Sequence, residues 1–169
     1  MKTDTIIIDG YNLIKLNLQH FPENLSLEQQ REHLLRLLHS SSLSRNHRIL
    51  VVFDGSQPVL PGNRFRYRGI QVLFSGSGKT ADDRIRQYIL NSPQPESIEV
   101  VTSDREIQHT ARNLGCQIIS SSDFWKRLTR SPEPEKRSRE VGESDRELSD
   151  REVKEWLNLF QQRGADDED

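Results

Sequence analysis

Five short apolar runs constrain the fold of this chain more than any other feature. They cover residues 5–9, 48–54, 69–74, 98–102 and 117–120. Most are continuous in Ile, Val, Leu and Phe rather than alternating, which is typical of strands buried on both faces of a parallel sheet. Helical patterns lie between them. The sequence therefore predicts an α/β fold, a doubly wound sheet of about five parallel strands with helices on both faces.

The helices between the strands carry recognisable start signals. Ser26 and Gln29 form a capping box ahead of a face of leucines. Thr80 is placed to cap the helix after the third strand, and Ser103 or Asp104 the helix after the fourth. Strand ends and helix starts therefore nearly coincide, which brings the residues between them to one edge of the sheet.

Carboxylates follow every predicted strand. In chain order they are Asp9, Asp54, the pair Asp82 and Asp83, Asp104 and Asp123. Ligands of open parallel sheets bind at this edge, near the point where strand order reverses. Gathered carboxylates repel one another unless a cation neutralises them, and an all-oxygen set suits Mg²⁺ or Mn²⁺ rather than zinc. Such ions support hydrolysis of phosphodiester bonds. The single cysteine, Cys116, excludes a thiolate zinc cluster.

An arginine-rich stretch is a candidate for nucleic-acid binding. Residues 63–68 read NRFRYR, in which Arg64, Arg66 and Arg68 alternate with two aromatic residues. Arginines that bind phosphates and rings that stack on bases are typical of single-strand binding, although solvated arginines on an edge strand give the same pattern. Residues 1–129 hold 16 Lys and Arg against 13 Asp and Glu, so this part is mildly basic, and Arg45 and Arg48 add to a basic surface.

The stretch LFSGSGKTADDRI, residues 73–85, contains the end of a nucleotide-binding loop. Such a loop reads G-x-x-x-x-G-K-[ST], because its first glycine opens the turn whose N–H groups wrap the phosphates. Leu73, inside a predicted strand, stands where that glycine is needed. A P-loop ATPase or GTPase is therefore disfavoured.

Four motifs in chain order resemble the YacP-like NYN family, whose domains belong to the PIN-like nuclease fold. They are DGYN at 9–12, VVFDG at 51–55, TADDRI at 80–85 and VVTSD at 100–104. Over roughly residues 5–128 the resemblance implies a sheet ordered 3-2-1-4-5, metal-dependent ribonuclease activity and a metal cluster of Asp9, Asp82 and Asp104. It also implies that Asn12 and Ser103 position water or phosphate and that Lys79 lies near phosphate. Asp54 and Asp123 are second-tier metal candidates, each of which could instead cap its own loop. Asp83 is a further candidate, but it is turned by about 100° from Asp82 around the helix axis and could instead face solvent, Arg86 or Gln87.

The last forty residues differ from the rest. We interpret 1–129 as the NYN/PIN-like nuclease domain, 130–147 as a disordered charged linker, 148–163 as an amphipathic C-terminal helix and 164–169 as an acidic tip. Ser149 and Glu152 form a capping box for that helix, whose apolar face contains Val153, Trp156, Leu157 and Phe160. The helix either packs on its own domain, which we favour, or docks a protein partner.

Together these features predict a cytoplasmic, Mg²⁺- or Mn²⁺-dependent endoribonuclease. Asp9, Asp82 and Asp104 would be catalytic, and the substrate would be single-stranded RNA, free or presented on a larger assembly such as the ribosome. The apolar runs are too short to cross a bilayer, so no membrane partner is expected. One rival is a non-catalytic RNA-binding module of the same fold. A phosphohydrolase of the haloacid dehalogenase type is disfavoured because Tyr11 stands where that chemistry needs a second Asp.

Overall fold

Strands and helices alternate through residues 2–56 and 64–130, the part of the chain that a computed structural model describes. In chain order the elements are β1 (Thr5–Asp9), α1 (Gly10–Leu16), α2 (Leu27–Ser40), α3 (Leu43–Asn46), β2 (Arg48–Phe53), β3 (Arg64–Tyr67), β4 (Ile70–Phe74), α4 (Ala81–Leu90), β5 (Ile98–Val101), α5 (Arg105–Asn113), β6 (Gln117–Ile119) and α6 (Ser121–Thr129). Except for Arg130, the predicted linker, C-terminal helix and acidic tip lie outside the described residues.

The strands form one sheet in the order β3-β4-β2-β1-β5-β6. β1 pairs in parallel with β2 on one side and with β5 on the other, so the order of strands reverses at β1. β4 and β6 continue the parallel pairing outward. The five predicted strands thus follow the relative order 3-2-1-4-5, and the carboxyl ends of all five lie at the same edge.

The predicted number of strands was wrong, because β3 adds a sixth strand at the edge and pairs antiparallel with β4. β3 and β4 form a hairpin whose turn contains Arg68 and Gly69, both in the left-handed region with φ of 45° and 88°. β3 has only four residues, and its exposed and half-buried positions alternate. A strand this short that lies at an edge lacks the continuous apolar run that identified the others.

Helices cover both faces of the sheet, as predicted. Ile6 and Ile8 of β1 join a core with α1, α2 and α6. Ile7 joins a second core with α4 and α5. Successive side chains of a strand point to opposite faces, so a strand between two helical layers needs an unbroken apolar run. None of the helices in the described residues is long and apolar enough to cross a membrane.

Candidate functional site

Asp9, at the carboxyl end of β1, is the most buried of the predicted site residues. Only 8% of its surface is exposed, and its Oδ1 accepts a hydrogen bond from the N–H of Asn12 at 3.4 Å, which caps α1. Burial raises the pKa of Asp9 to about 6, and the Asn12 N–H opposes that rise. The carboxylates of Asp54, Asp104 and Asp82 raise it further. Three further acids therefore lie within electrostatic reach of Asp9.

Gly10 lets α1 start directly after Asp9. A Cβ atom on Gly10 would lie 2.3 Å from Cε1 of Phe53, the last residue of β2, so any larger side chain would collide with that ring. Tyr11 then packs on the same ring at 5.0 Å between centroids, and its hydroxyl accepts a hydrogen bond from Arg31 at 2.6 Å. Packing of Gly10 and Tyr11 against Phe53 therefore fixes the chain directly after Asp9.

Asp104 follows β5, the parallel neighbour of β1, and caps α5. Its Oδ1 accepts hydrogen bonds from the N–H groups of Glu106 at 2.8 Å and Ile107 at 3.3 Å. Its own N–H donates to Oγ1 of Thr102, which is fully buried. Because Ile8 lies opposite Val101 in the sheet, Asp9 and Asp104 leave adjacent strands at nearly the same height.

Asp82 reaches this edge from the first turn of α4. Its Oδ2 accepts from Arg86 at 3.1 Å, while its Oδ1 is buried and has no hydrogen-bond partner among the described residues. Burial raises the pKa of Asp82 against the opposing effect of Arg86, and Asp83, Asp104 and Glu106 add to the rise. An unpartnered buried carboxylate oxygen is costly unless a cation or water satisfies it. Glu106 is an acid that the sequence analysis missed, because it stands inside a helix rather than directly after a strand.

Asp54 follows β2 and binds the start of the helix that carries Asp82. Its Oδ1 accepts from the N–H of Ala81 at 2.6 Å. The side chain is exposed, and its charge contributes to the raised pKa of Asp9. Among the second-tier candidates, Asp54 therefore lies with Asp9, Asp82 and Asp104. We call the sheet edge that carries these four carboxylates the acidic edge.

Asp83 and Asp123 have local capping roles instead. Asp83 completes a capping box with Thr80, and two hydrogen bonds from Thr80 lower the pKa of its carboxyl. Asp123 accepts from the hydroxyl of Ser120 at 2.8 Å and from Lys126 at 3.2 Å, and these contacts lower its pKa. Both carboxylates are exposed and engaged at helix starts.

Asn12 and Ser103 form part of an internal hydrogen-bond network at the same edge. Oδ1 of Asn12 accepts from the N–H of Ser103 at 2.9 Å and from Oγ of Ser121 at 2.7 Å. Oγ of Ser103 in turn accepts from the N–H of Ser121 at 3.1 Å. These contacts join the ends of β1, β5 and β6. The fully buried Ser121 was missed, because a serine at a helix start gives no sequence signal beyond a cap.

The predicted substrate-binding cations lie on three different segments of the chain. Lys79 is exposed in the loop before α4, and Arg64 and Arg66 lie exposed on one face of β3. Arg68 is in the β3–β4 turn, with its guanidinium 5.9 Å from the centre of the Tyr67 ring. Phe65 and Tyr67 pack against the core beneath α1, α2 and α6, so the aromatic alternation in NRFRYR reflects strand packing and not a stacking platform.

The donor set at the acidic edge fits a hard divalent cation. Its oxygens come from carboxylates, and one of them is buried without a hydrogen-bond partner among the described residues. Burial, together with the neighbouring carboxylates, raises the pKa of Asp9. Within residues 2–56 and 64–130, however, no three His, Cys, Asp or Glu side chains are drawn close enough to hold a metal ion as they stand. Each of these carboxylates instead accepts a hydrogen bond: Asp54 from Ala81, Asp82 from Arg86 and Asp104 from the start of α5.

Comparison with known proteins adds a family and a fold. The model of the YacP-like NYN domain matches residues 6–161. The crystal structure of Rae1 (YacP) from Bacillus subtilis is similar at 22% identity and a TM-score of 0.56, over 96% of this chain and 84% of that one. A mutant of the same protein is similar at 25% identity and a TM-score of 0.57, over 75% of each chain. No curated protein matches the chain.

Proposed function

The chain belongs to the YacP-like NYN domain family, and from that premise we propose that it is a metal-dependent endoribonuclease that hydrolyses phosphodiester bonds in single-stranded RNA. NYN domains are a PIN-like nuclease family, so a nuclease acting on RNA is the function that membership supports. The metal, the bond that is cut and the residues that act on it are the proposed part.

One observation carries the proposal. A buried aspartate, Asp9, lies at the point where strand order reverses and has three further carboxylates close enough to raise its pKa. Burial and repulsion of this kind destabilise the folded state at neutral pH, because each disfavours the charged carboxylate. Perturbed carboxyl groups gathered at a ligand-binding edge are typical of functional sites rather than of structural ion pairs.

We assign Asp9, Asp82 and Asp104 to holding Mg²⁺ or Mn²⁺. A divalent cation bound there supplies an activated water and offsets negative charge on the phosphate during hydrolysis. Asp54 keeps the first turn of α4 at the acidic edge through its bond to Ala81, so Asp82 stays near Asp9. Asn12 and Ser103 act as positioning residues, because their hydrogen bonds join the loops that carry Asp9 and Asp104.

The test is cleavage of a labelled unstructured RNA by the full chain, with Mn²⁺, with Mg²⁺ and with EDTA. Asp9→Asn removes the charge and keeps an oxygen that can accept the Asn12 N–H. The matched control is Asp123→Asn, since that carboxylate is 63% exposed and its side-chain partners among the described residues are Ser120 and Lys126, the cap and a later residue of α6. We expect metal-dependent cleavage by the wild type and the control, and its loss in Asp9→Asn. Cleavage that continues in EDTA, or in Asp9→Asn, would contradict the proposal.

The rival function is an RNA-binding module that does not cleave. The dispersed carboxylate contacts described above favour it, since none of the described acids forms a ready three-ligand group. Equal RNA binding by wild type and Asp9→Asn, without cleavage under either metal, would support this rival. An RNA presented on a ribosome would then be the second substrate to assay.

A further inference from the structure

A groove of about 990 Å³ runs along the outer side of α4, from Arg84 near the carboxyl end of β4 to the amino ends of β1, β2 and β5, at the sheet edge opposite the acids. It is lined by that side of α4, by β3 and β4, and by the loops that precede β2 and β5. None of the acids of the candidate site lines it.

The groove is strongly basic. Arg45, Arg48, Arg64 and Arg84 all line it, and Asp4 is the acid among its lining residues. Within the described residues, none of these four arginines has a carboxylate within 4 Å, although other basic side chains of the domain form such pairs. Unpaired guanidinium groups that line one concave surface attract phosphate groups.

One row of α4 supplies further polar contacts to the groove. Arg84, Gln87, Tyr88 and Asn91 are spaced at i, i+3, i+4 and i+7, so they form one face of the helix. Amide and phenol groups can bond to base edges or ribose hydroxyls, and the ring of Tyr88 packs against the core beneath α4 and α5. Nε of Arg84 donates to the carbonyl of Ser75 at 2.9 Å, which holds this guanidinium at the carboxyl end of β4.

One end of the groove lies near the start of α4, on the side of the helix that faces away from Asp82. Asp82 and Arg84 are two residues apart in α4, so their side chains point roughly 200° apart around the helix axis. Asp82 lies toward Asp104 and Glu106, and Arg84 lies toward β4. The loop of residues 75–80, which contains exposed Lys79, joins β4 to the start of α4.

We propose that this groove binds the stretch of single-stranded RNA that adjoins the cleaved bond. The inference rests on the proposed function and specifies where its substrate runs. The strand leaves the acidic edge past the first turn of α4, its phosphates contact Arg84 and Arg64, and it continues toward Arg48 and Arg45. α4 has ten residues, a length of about 15 Å, which is enough for about four nucleotides stacked at roughly 3.4 Å.

The experiment measures binding of a fluorescent unstructured RNA of about 12 nucleotides by anisotropy, in EDTA, at several salt concentrations. The groove variant is Arg45→Gln/Arg48→Gln/Arg64→Gln. Its matched control, Lys15→Gln/Arg112→Gln/Lys126→Gln, loses the same charge from exposed helix positions outside the groove. We expect the groove variant to bind roughly tenfold or more weakly, with a salt slope smaller by about 2, because each lost phosphate contact removes about 0.7 from the slope.

The outcomes separate this inference from the proposed function. If both triple variants weaken binding equally, RNA is attracted by the charge of the whole domain and not by the groove, and the groove assignment is overturned. If the wild type cleaves with Mn²⁺ and the groove variant retains its KM, the nuclease stands and the groove does not. Loss of binding in the groove variant alone, with no cleavage by the wild type, supports the groove and overturns the nuclease. Shortening the RNA on one side of the cut to below about four nucleotides should also raise KM for the wild type but not for the groove variant.

Discussion

The carboxylate of Asp54 accepts the N–H of Ala81 at 2.6 Å, and this hydrogen bond ties the end of β2 to the first residue of the helix that carries Asp82. The start of α4 is thus capped twice, by the Thr80 capping box and by Asp54 from a distant part of the chain. Asp54, which the sequence presents as one of several strand-end acids, therefore sets the position of Asp82.

The two roles of Asp54 can be separated by substitution. Asp54→Asn keeps an acceptor for Ala81 but removes a charge, whereas Asp54→Ala removes both. We expect both variants to lower the pKa of Asp9, since Asp54 contributes to its rise. Only Asp54→Ala should lower the free energy of unfolding, by about 1–2 kcal/mol relative to Asp54→Asn. Carbon-detected NMR titration of Asp9 and urea unfolding measure the two effects. Equal stability of the two variants would show that the bond to Ala81 contributes nothing.

Asp9 makes stability depend on pH. Its pKa of about 6 in the folded state lies above the ordinary 3.8, so the folded state holds this proton more tightly than the unfolded state does. The stabilisation is complete below about pH 4 and is lost as pH rises through 6, and the cost at neutral pH is about 1–3 kcal/mol. Asp9→Asn should therefore raise the free energy of unfolding at pH 7.5 by that amount in EDTA.

Urea unfolding of wild type and Asp9→Asn at pH 4.5 and 7.5 checks this expectation. The gain from the substitution should be small at pH 4.5 and full at pH 7.5. Asp123→Asn serves as the control, because its carboxyl has a lowered pKa and does not titrate in this window. A loss of stability in Asp9→Asn at both pH values would mean that its charge is better satisfied in the folded domain than its burial indicates.

A divalent cation should relieve the repulsion at the acidic edge and stabilise the fold. At a concentration 100 times its Kd, an ion that binds only the folded state adds about 2.7 kcal/mol. We expect Mn²⁺ to raise the Tm of the wild type and of Asp83→Asn, whose side chain can still take part in the Thr80 capping box. The rise should be much smaller in Asp9→Asn. Differential scanning calorimetry measures this without any substrate, and equal shifts in all three proteins would remove Asp9 from the metal site.

Asn12 should matter through its two accepted hydrogen bonds. Asn12→Ala leaves the N–H of Ser103 and the hydroxyl of Ser121 without their acceptor, which we expect to cost about 1–3 kcal/mol of unfolding free energy. Ser121→Ala removes one donor and leaves no unpaired group on Asn12, so its cost should be lower. Cleavage should fall with Asn12→Ala, because the loop that carries Asp104 loses its link to α1. Similar costs for the two variants by urea unfolding would argue against this account.

Much of the acidic edge is predictable from the sequence because it follows from strand placement. Unbroken apolar runs identified the five parallel strands, and the carboxyl ends of parallel strands share an edge. Asp9, Asp54 and Asp104 are accordingly near one another. The capping box at Ser26 and the cap at Thr80 formed as predicted, and Asp83 completes a second capping box at Thr80 that was not predicted. Asp82 and Asp83 separated as helix geometry requires, one toward the edge and one to the cap.

The parts that were missed depend on contacts between distant segments. Phe65 and Tyr67 look like stacking residues in the sequence, yet the pairing of β3 with β4 turns them toward the core. Glu106 and Ser121 join the site only because α5 and α6 start beside β1 at this edge. The groove brings together arginines separated by up to 39 positions, between Arg45 and Arg84, which no local motif could reveal.

The antiparallel edge strand has a consequence for the state of the protein in solution. β3 is the last strand on one side of the described sheet, and a strand at a sheet edge can pair with strands of other molecules. Arg64 and Arg66 are exposed along this edge, and their like charges oppose the approach of a second copy. We therefore expect variants that neutralise Arg64 and Arg66 to aggregate more readily at high concentration.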